Sequence, residues 1–154
     1  MKKLISSILL VFLTGCATVQ VAPLKVTDSG LPERIVTGST VDDIRNAIIQ
    51  SCYRGQSQVE ETSNTTVICS KEMQGGAAVM VQLMLGNSYA DTPRMNLKFQ
   101  ILKLNDKDIK VIVVPTYSTR MINGKINSMQ VTNQADLNSV QVQLEKFKVN
   151  SVAQ

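Results

Sequence analysis

The 154-residue chain contains no histidine and no tryptophan. Without histidine it lacks the side chain that most often moves protons near neutral pH, the Ser-His and Cys-His nucleophilic pairs, and the commonest metal ligand. With no tryptophan and only three tyrosines and three phenylalanines, there is little from which to build a stacking platform for bases or sugars. The motifs H-E-x-x-H, G-x-S-x-G and S-x-x-K are also missing. The carboxylates are scattered, and the neighbours Asp42-Asp43 and Glu60-Glu61 would cluster only by accident of folding. The expectation is a non-enzymatic protein with no metal and no cofactor. Nor is there a long basic block. Sixteen Lys and Arg stand against twelve Asp and Glu, and two of the lysines, Lys2 and Lys3, sit in the first three residues, so nucleic acid is not an expected partner.

Long hydrophobic runs are absent as well. The stretch from Leu4 to Leu13 is too short to span a bilayer as a permanent helix. It follows Lys2 and Lys3 and ends in Leu13-Thr14-Gly15-Cys16, the three-part layout of a secretory signal peptide with a cysteine directly after the cut. The tetrad resembles the lipobox of bacterial lipoproteins. That resemblance implies that residues 1–15 are removed and that the Cys16 sulfur receives a diacylglycerol. It also implies that the new amino group is acylated, typically by palmitate, and that the membrane is the first partner. Two or three acyl chains hold a protein on a bilayer almost permanently without spanning it. Ala17, where an aspartate would favour inner-membrane retention, points to the outer membrane.

Cys52 and Cys69 remain as an even pair in an oxidising periplasmic compartment, where a structural disulfide is the expected state. Two separately buried thiols and a redox pair are the alternatives. Residues 16–34, with Pro23, Gly30 and Pro32 and little periodicity, read as the lipidated cysteine and a tether; the stretch Thr18 to Val21 could instead pair on a sheet edge. Residues 35–154 read as a single domain of a size sufficient to bury a core.

Within that domain Ile35-Val36 is a β-like pair, and Thr40 caps the clearest helix. Val41, Ile44, Ala47, Ile48 and Cys52 form its apolar stripe, and Gly55 ends it. Two short strands flank a turn at Ser63-Asn64-Thr65. Ala77 to Leu85 alternates as a buried strand, although its Ala, Met and Leu are also helix formers. Asn87 to Arg94 is a polar loop. Met95, Leu97, Phe99 and Ile101 share one strand face, and the change of parity at Leu102 and Leu104 predicts a β-bulge. Asn105 to Asp108 is a turn. Ile109 to Val114 is apolar nearly throughout, as in a strand covered on both sides, and Pro115 should interrupt its ladder. Asn123-Gly124 marks a hairpin leading to a last strand that ends near Val131. Arg94, Lys98, Lys103, Lys107, Lys110, Arg120 and Lys125 give these strands a basic surface that could face anionic lipid or an acidic partner, but Asp91, Asp106 and Asp108 interleave with it, so it is most simply a solvated face. Leu137, Val140, Leu144 and Phe147 predict a closing helix, with an alternating strand as the competing pattern.

The expected fold is α+β: an N-terminal helix, an antiparallel meander of about five or six strands, and a C-terminal helix packed on one sheet face. Address and architecture together lead to the expectation of an anchored protein-binding or assembly component in the cell envelope, with an envelope protein as partner. Two other classes fit the same observations. One is a prophage- or plasmid-encoded lipoprotein that masks a receptor or excludes related DNA, and the other is a small lipid- or peptidoglycan-binding module.

Overall fold

The computed structural model describes residues 27–86 and 90–149. The expected leader and Cys16 lie outside them, as does most of the expected tether. The elements in chain order are β1 (Glu33–Thr37), α1 (Val41–Arg54), β2 (Gln58–Thr62), β3 (Thr66–Glu72), α2 (Gly75–Leu85), β4 (Arg94–Lys103), β5 (Asp108–Arg120), β6 (Ile126–Gln130) and α3 (Gln134–Lys146). This is the expected α+β class. Strands β2 to β6 form an antiparallel meander, and β1 returns to the sheet beside β5, giving the order β1-β5-β4-β3-β2 with β6 also on β5.

The thirteen residues of β5 hold this arrangement together. One flank pairs with β4 from Ile109 to Ser118. The other is shared end to end: β1 takes residues 108–112 and β6 takes residues 116–120. Pro115 falls in the gap between those two partners. Its carbonyl accepts from Val131 N at 3.0 Å, and the amide hydrogen it lacks would point to the same flank, where neither strand has a ladder position for it. Pro115 therefore does not interrupt β5, as the sequence suggested it should.

Helix α1 begins as its sequence demands. The Thr40 side chain accepts from Asp43 N at 3.1 Å and the Asp43 carboxylate accepts from Thr40 N at 3.1 Å, a reciprocal capping box that also puts negative charge at the positive end of the helix dipole. Ile44, Ile48 and Cys52 are buried on its inner stripe. The end differs in detail from the expectation. Gly55 occupies the cap with φ −77°, and the left-handed position falls on Gln56, at φ 57°. Ser57 N donates to Cys52 O and Gln56 N to Tyr53 O, which is a Schellman closure built around a residue with a side chain. Lys71 Nζ adds a bond to Gly55 O at 2.9 Å.

One core cluster lies under α1 and α3, while Ala78, Val81, Val131 and Leu137 are buried outside it. Ile44, Ile48 and Cys52 of α1 and Val140 and Leu144 of α3 pack on Val67, Cys69, Ile101, Ile109, Val111 and Val113 of the sheet. The Cys52–Cys69 disulfide joins the end of α1 to β3, with Cα atoms 6.0 Å apart. On the second face polar pairs dominate. Arg94 meets Glu60 at 2.8 Å, Asn96 donates to Ser118, and Lys110 reaches Glu33 at 3.2 Å. Burial alone would raise the Glu33 carboxyl, but hydrogen bonds from Ser29 and Lys110 and the Lys110 charge outweigh it, so the group titrates below its ordinary range.

Two further expectations are overturned. Residues 77–85 are not a strand but most of helix α2. All but Gln82 of that stretch are apolar, so its alternation carries no contrast between faces. The β3–β4 pair is also complete from Thr66↔Gln100 to Glu72↔Arg94, which leaves the segment between them no place in the meander. A helix satisfies its backbone locally. The bulge expected near Ile101-Leu102 is absent too. The β4 register against β5 is unbroken, and Leu102 and Leu104 are simply exposed, at 44% and 50%. A shift occurs instead in β2, between Val59 and Glu61.

Two stability measurements follow. Gln56→Gly should raise stability by about 1 kcal/mol, the approximate cost of a side chain in the left-handed region, read as a higher urea midpoint at unchanged slope. Replacing both Cys52 and Cys69 with alanine should lower stability by roughly 3 kcal/mol, the chain-entropy value for a loop of this length. Reductant should then have no further effect on the midpoint.

Candidate functional site

Helix α1 lies over β2, β3 and β4, while α3 packs against β1, so the two helices are seated on different parts of the sheet. Between them runs a partly open groove of about 570 Å³. Its size is within the range of pockets that take small ligands or short peptide segments. Met95, Leu97 and Phe99 of β4 form its floor, each half-buried, with Val113 of β5 and the disulfide beside them. The alternation that makes β4 a strand also determines this floor: one face of the strand is apolar, and the helices cover only part of it. Ser51 of α1 and Ser139 and Gln143 of α3 form the rims, and Phe147 adds an aromatic edge.

Tyr117 and Asp136 also line the groove and supply polar chemistry. The Tyr117 hydroxyl donates to Asp136 Oδ2 at 3.1 Å. Burial raises the Tyr117 pKa above its ordinary 10.0, and the Asp136 charge and the hydrogen bond to it act in the same direction. The phenol thus remains a committed donor. The acceptors of this pair, the phenol lone pairs and the second Asp136 oxygen, are left to meet a donor group on a bound molecule. Lys71 also lines the groove, with its ammonium bonded to Gly55 O.

Of the residues the sequence singled out, Cys52 and Cys69 are brought together and form part of this groove; Cys16 lies outside the described residues. Asp43 serves the α1 cap and Glu60 pairs with Arg94, so the two acidic neighbours are not gathered into one site. Three members of the basic surface have local acidic partners, with Arg94 on Glu60, Lys103 on Asp106 and Lys110 on Glu33 and Asp28. Sequence reasoning missed the Tyr117–Asp136 pair. The two residues are nineteen positions apart in different elements, and no local pattern links them.

The chain matches no protein-family model, and comparison with curated proteins and with solved structures finds no match. The groove must be read from its own chemistry.

Because the folded-state pKa of Tyr117 is raised, its contribution to stability is complete below pH 10 and is lost as the pH rises through the folded-state value. Alkaline titration of phenolate absorbance should show one tyrosine ionising late. Tyr117→Phe should abolish that late step and leave the rest of the curve in place.

Proposed function

We propose that this protein is a membrane-anchored bacterial lipoprotein, held by acyl chains on Cys16 at the outer membrane, and that its folded domain is a non-enzymatic protein-binding component of an envelope assembly. The anchor reading rests on the Leu13-Thr14-Gly15-Cys16 tetrad behind a short apolar run. The groove between α1 and α3 carries the binding reading. It offers a half-buried apolar floor with a hydrogen-bonding pair, Tyr117 and Asp136, in its lining. An extended partner segment with apolar side chains and an N–H donor suits it. Such a segment buries apolar surface at roughly 25 cal/mol per Å², while its polar group fixes the register.

The same apolar floor favours a second reading, a small lipid-binding module whose groove holds an acyl chain. The two readings diverge in what accompanies the protein through purification.

The test is mild crosslinking of cells followed by capture from detergent-solubilised envelopes. Alongside the native chain run Cys16→Ser and the rim variants Ser139→Arg and Gln143→Arg, both at exposed positions of α3. The proposal expects one reproducible envelope protein with the native chain. The rim variants should weaken its recovery while leaving the amount of captured lipoprotein unchanged, and Cys16→Ser should abolish membrane attachment. If the protein is recovered without a protein partner but with a bound lipid, the assembly reading fails and the lipid-binding one replaces it.

A further inference from the structure

Among the described residues, the lining of the groove between α1 and α3 holds two charges, Lys71 and Asp136, one of each sign. The strand register puts them on opposite rims. Lys71 of β3 pairs with Met95 of β4, and Met95 pairs with Tyr117 of β5, so these three side chains make one row across the face under the helices. Lys71 leans toward the end of α1, where its Nζ donates to Gly55 O at 2.9 Å. Tyr117 leans toward α3, where its hydroxyl donates to Asp136 Oδ2 at 3.1 Å. Each charge is thus tied to its own rim by a neutral group, and Met95 lies between them. Two strand spacings, about 10 Å, separate the Lys71 and Tyr117 backbones.

Both rims have hydrogen-bonding capacity left for a ligand. The Lys71 ammonium has three hydrogens and gives one to Gly55 O. Asp136 Oδ1 and the Tyr117 lone pairs form an acceptor set suited to an ammonium or guanidinium. Away from that row the floor is apolar. Leu97 and Phe99 follow Met95 on the same face of β4, about 14 Å from end to end at the usual strand rise.

We propose, on the protein-binding reading of the groove, that its partner segment carries a basic and an acidic residue about three positions apart. Asp136 with Tyr117 takes the basic residue, Lys71 takes the acidic one, and apolar side chains between them lie over Met95 and Leu97. The separation of the rims selects a peptide. Three residues of extended chain span about 10 Å, which matches the distance between the two strands that carry the rims. A phosphatidylethanolamine headgroup has only two carbons between its phosphate oxygen and its ammonium and does not reach both rims. A fatty acid or a long-chain amine satisfies one rim and leaves the other charge without a counterpart. The consequence is specificity. Apolar burial on the floor accepts many side chains, whereas rims of opposite sign disfavour a segment that is wholly basic or wholly acidic.

The test uses the full lipoprotein in detergent and end-capped, fluorescein-labelled peptide pools of the form Lys-x-x-Glu, with x drawn from Leu, Ile, Val, Phe and Met. Companion pools carry glutamine in place of the lysine, the glutamate or both, and fluorescence anisotropy reads binding. Native protein should bind the doubly charged pool roughly two- to fivefold more tightly than either singly neutralised pool, the range of a solvent-accessible ion pair. In Asp136→Asn, which keeps an acceptor for the Tyr117 hydroxyl, the peptide lysine should cease to matter while the glutamate still does. In Lys71→Gln, which keeps a donor for Gly55 O, the reverse should hold. Lys71→Arg retains the charge and should retain the native preference, which keeps the test decisive if Lys71→Gln misfolds. Ser139→Arg should weaken every pool. The same charge dependence in native protein and both neutral variants overturns the proposal, and weakening of every pool by Ser139→Arg would then leave the binding reading of the groove in place. If no pool binds native protein, the proposal also falls. Envelope capture then decides the protein-binding reading separately, since a partner sensitive to the rim variants preserves it and the absence of one removes it.

Discussion

Backbone pairing along β5 is the constraint on which the other elements depend. A strand of thirteen residues is more than twice as long as β1 or β6, and the sheet uses that length by seating both short strands on one flank of it while β4 runs along the other. Its side chains do the corresponding work above and below. Ile109, Val111 and Val113 enter the core under the helices, and Ile112 and Val114 remain partly exposed on the second face. Pro115, which would damage an interior strand flanked by continuous neighbours, sits at the one position where no neighbour asks for its amide hydrogen.

The helices inherit their places from that sheet. The disulfide ties the last turn of α1 to β3, and α3 returns to β1 through Gln141, whose side chain accepts from Glu33 N and donates to Glu33 O. Arg34 adds bonds to the carbonyls of Leu144, Glu145 and Phe147 at the end of α3, where cationic groups complement the helix dipole. Each helix is thus fixed at a different strand, and the apolar face of β4 between them is left incompletely covered. The groove is a product of that divergence. Its shape depends on two long-range attachments, and its chemistry on which β4 and β5 side chains happen to lie between them.

Uncovered apolar area is distributed unevenly. The second face of the sheet has cross-strand ion pairs and amide–hydroxyl bonds, with the exposed Ile35 and Leu102 on either side of Lys110. Helix α2, attached at the far end of β5, carries apolar side chains on surfaces that the fold does not bury. The groove is concave and has hydrogen-bonding groups in its lining, whereas the exposed face of α2 carries only apolar side chains.

Much of the architecture was legible because local chemistry and tertiary structure agree. Thr40 with Asp43, the stripe Ile44, Ile48, Cys52, the alternation Met95, Leu97, Phe99, and Asn123-Gly124 each name an element and its inward side from a few neighbouring residues. The cysteine pair was legible by compartment and parity, and only the packing of α1 on β3 brought the two sulfurs together. Where local pattern lost contrast, the fold decided. Ala77 to Leu85 is apolar on every side, and its helical state follows from the meander having no vacant position between β3 and β4. Leu102 and Leu104 looked like evidence of a bulge, yet ten continuous pairs with β5 outweigh the burial of two leucines. The groove was not legible at all. Tyr117, Asp136, Leu97 and Gln143 come from three elements, and what joins them is the seating of α1 and α3 on different strands, which depends on contacts between residues far apart in the chain. By itself the sequence determined most of the element types, most of the inward faces and the signature of a lipid anchor, because these rest on near neighbours. Tertiary structure alone decided which apolar surfaces stay open, because burial is a property of the whole packed chain.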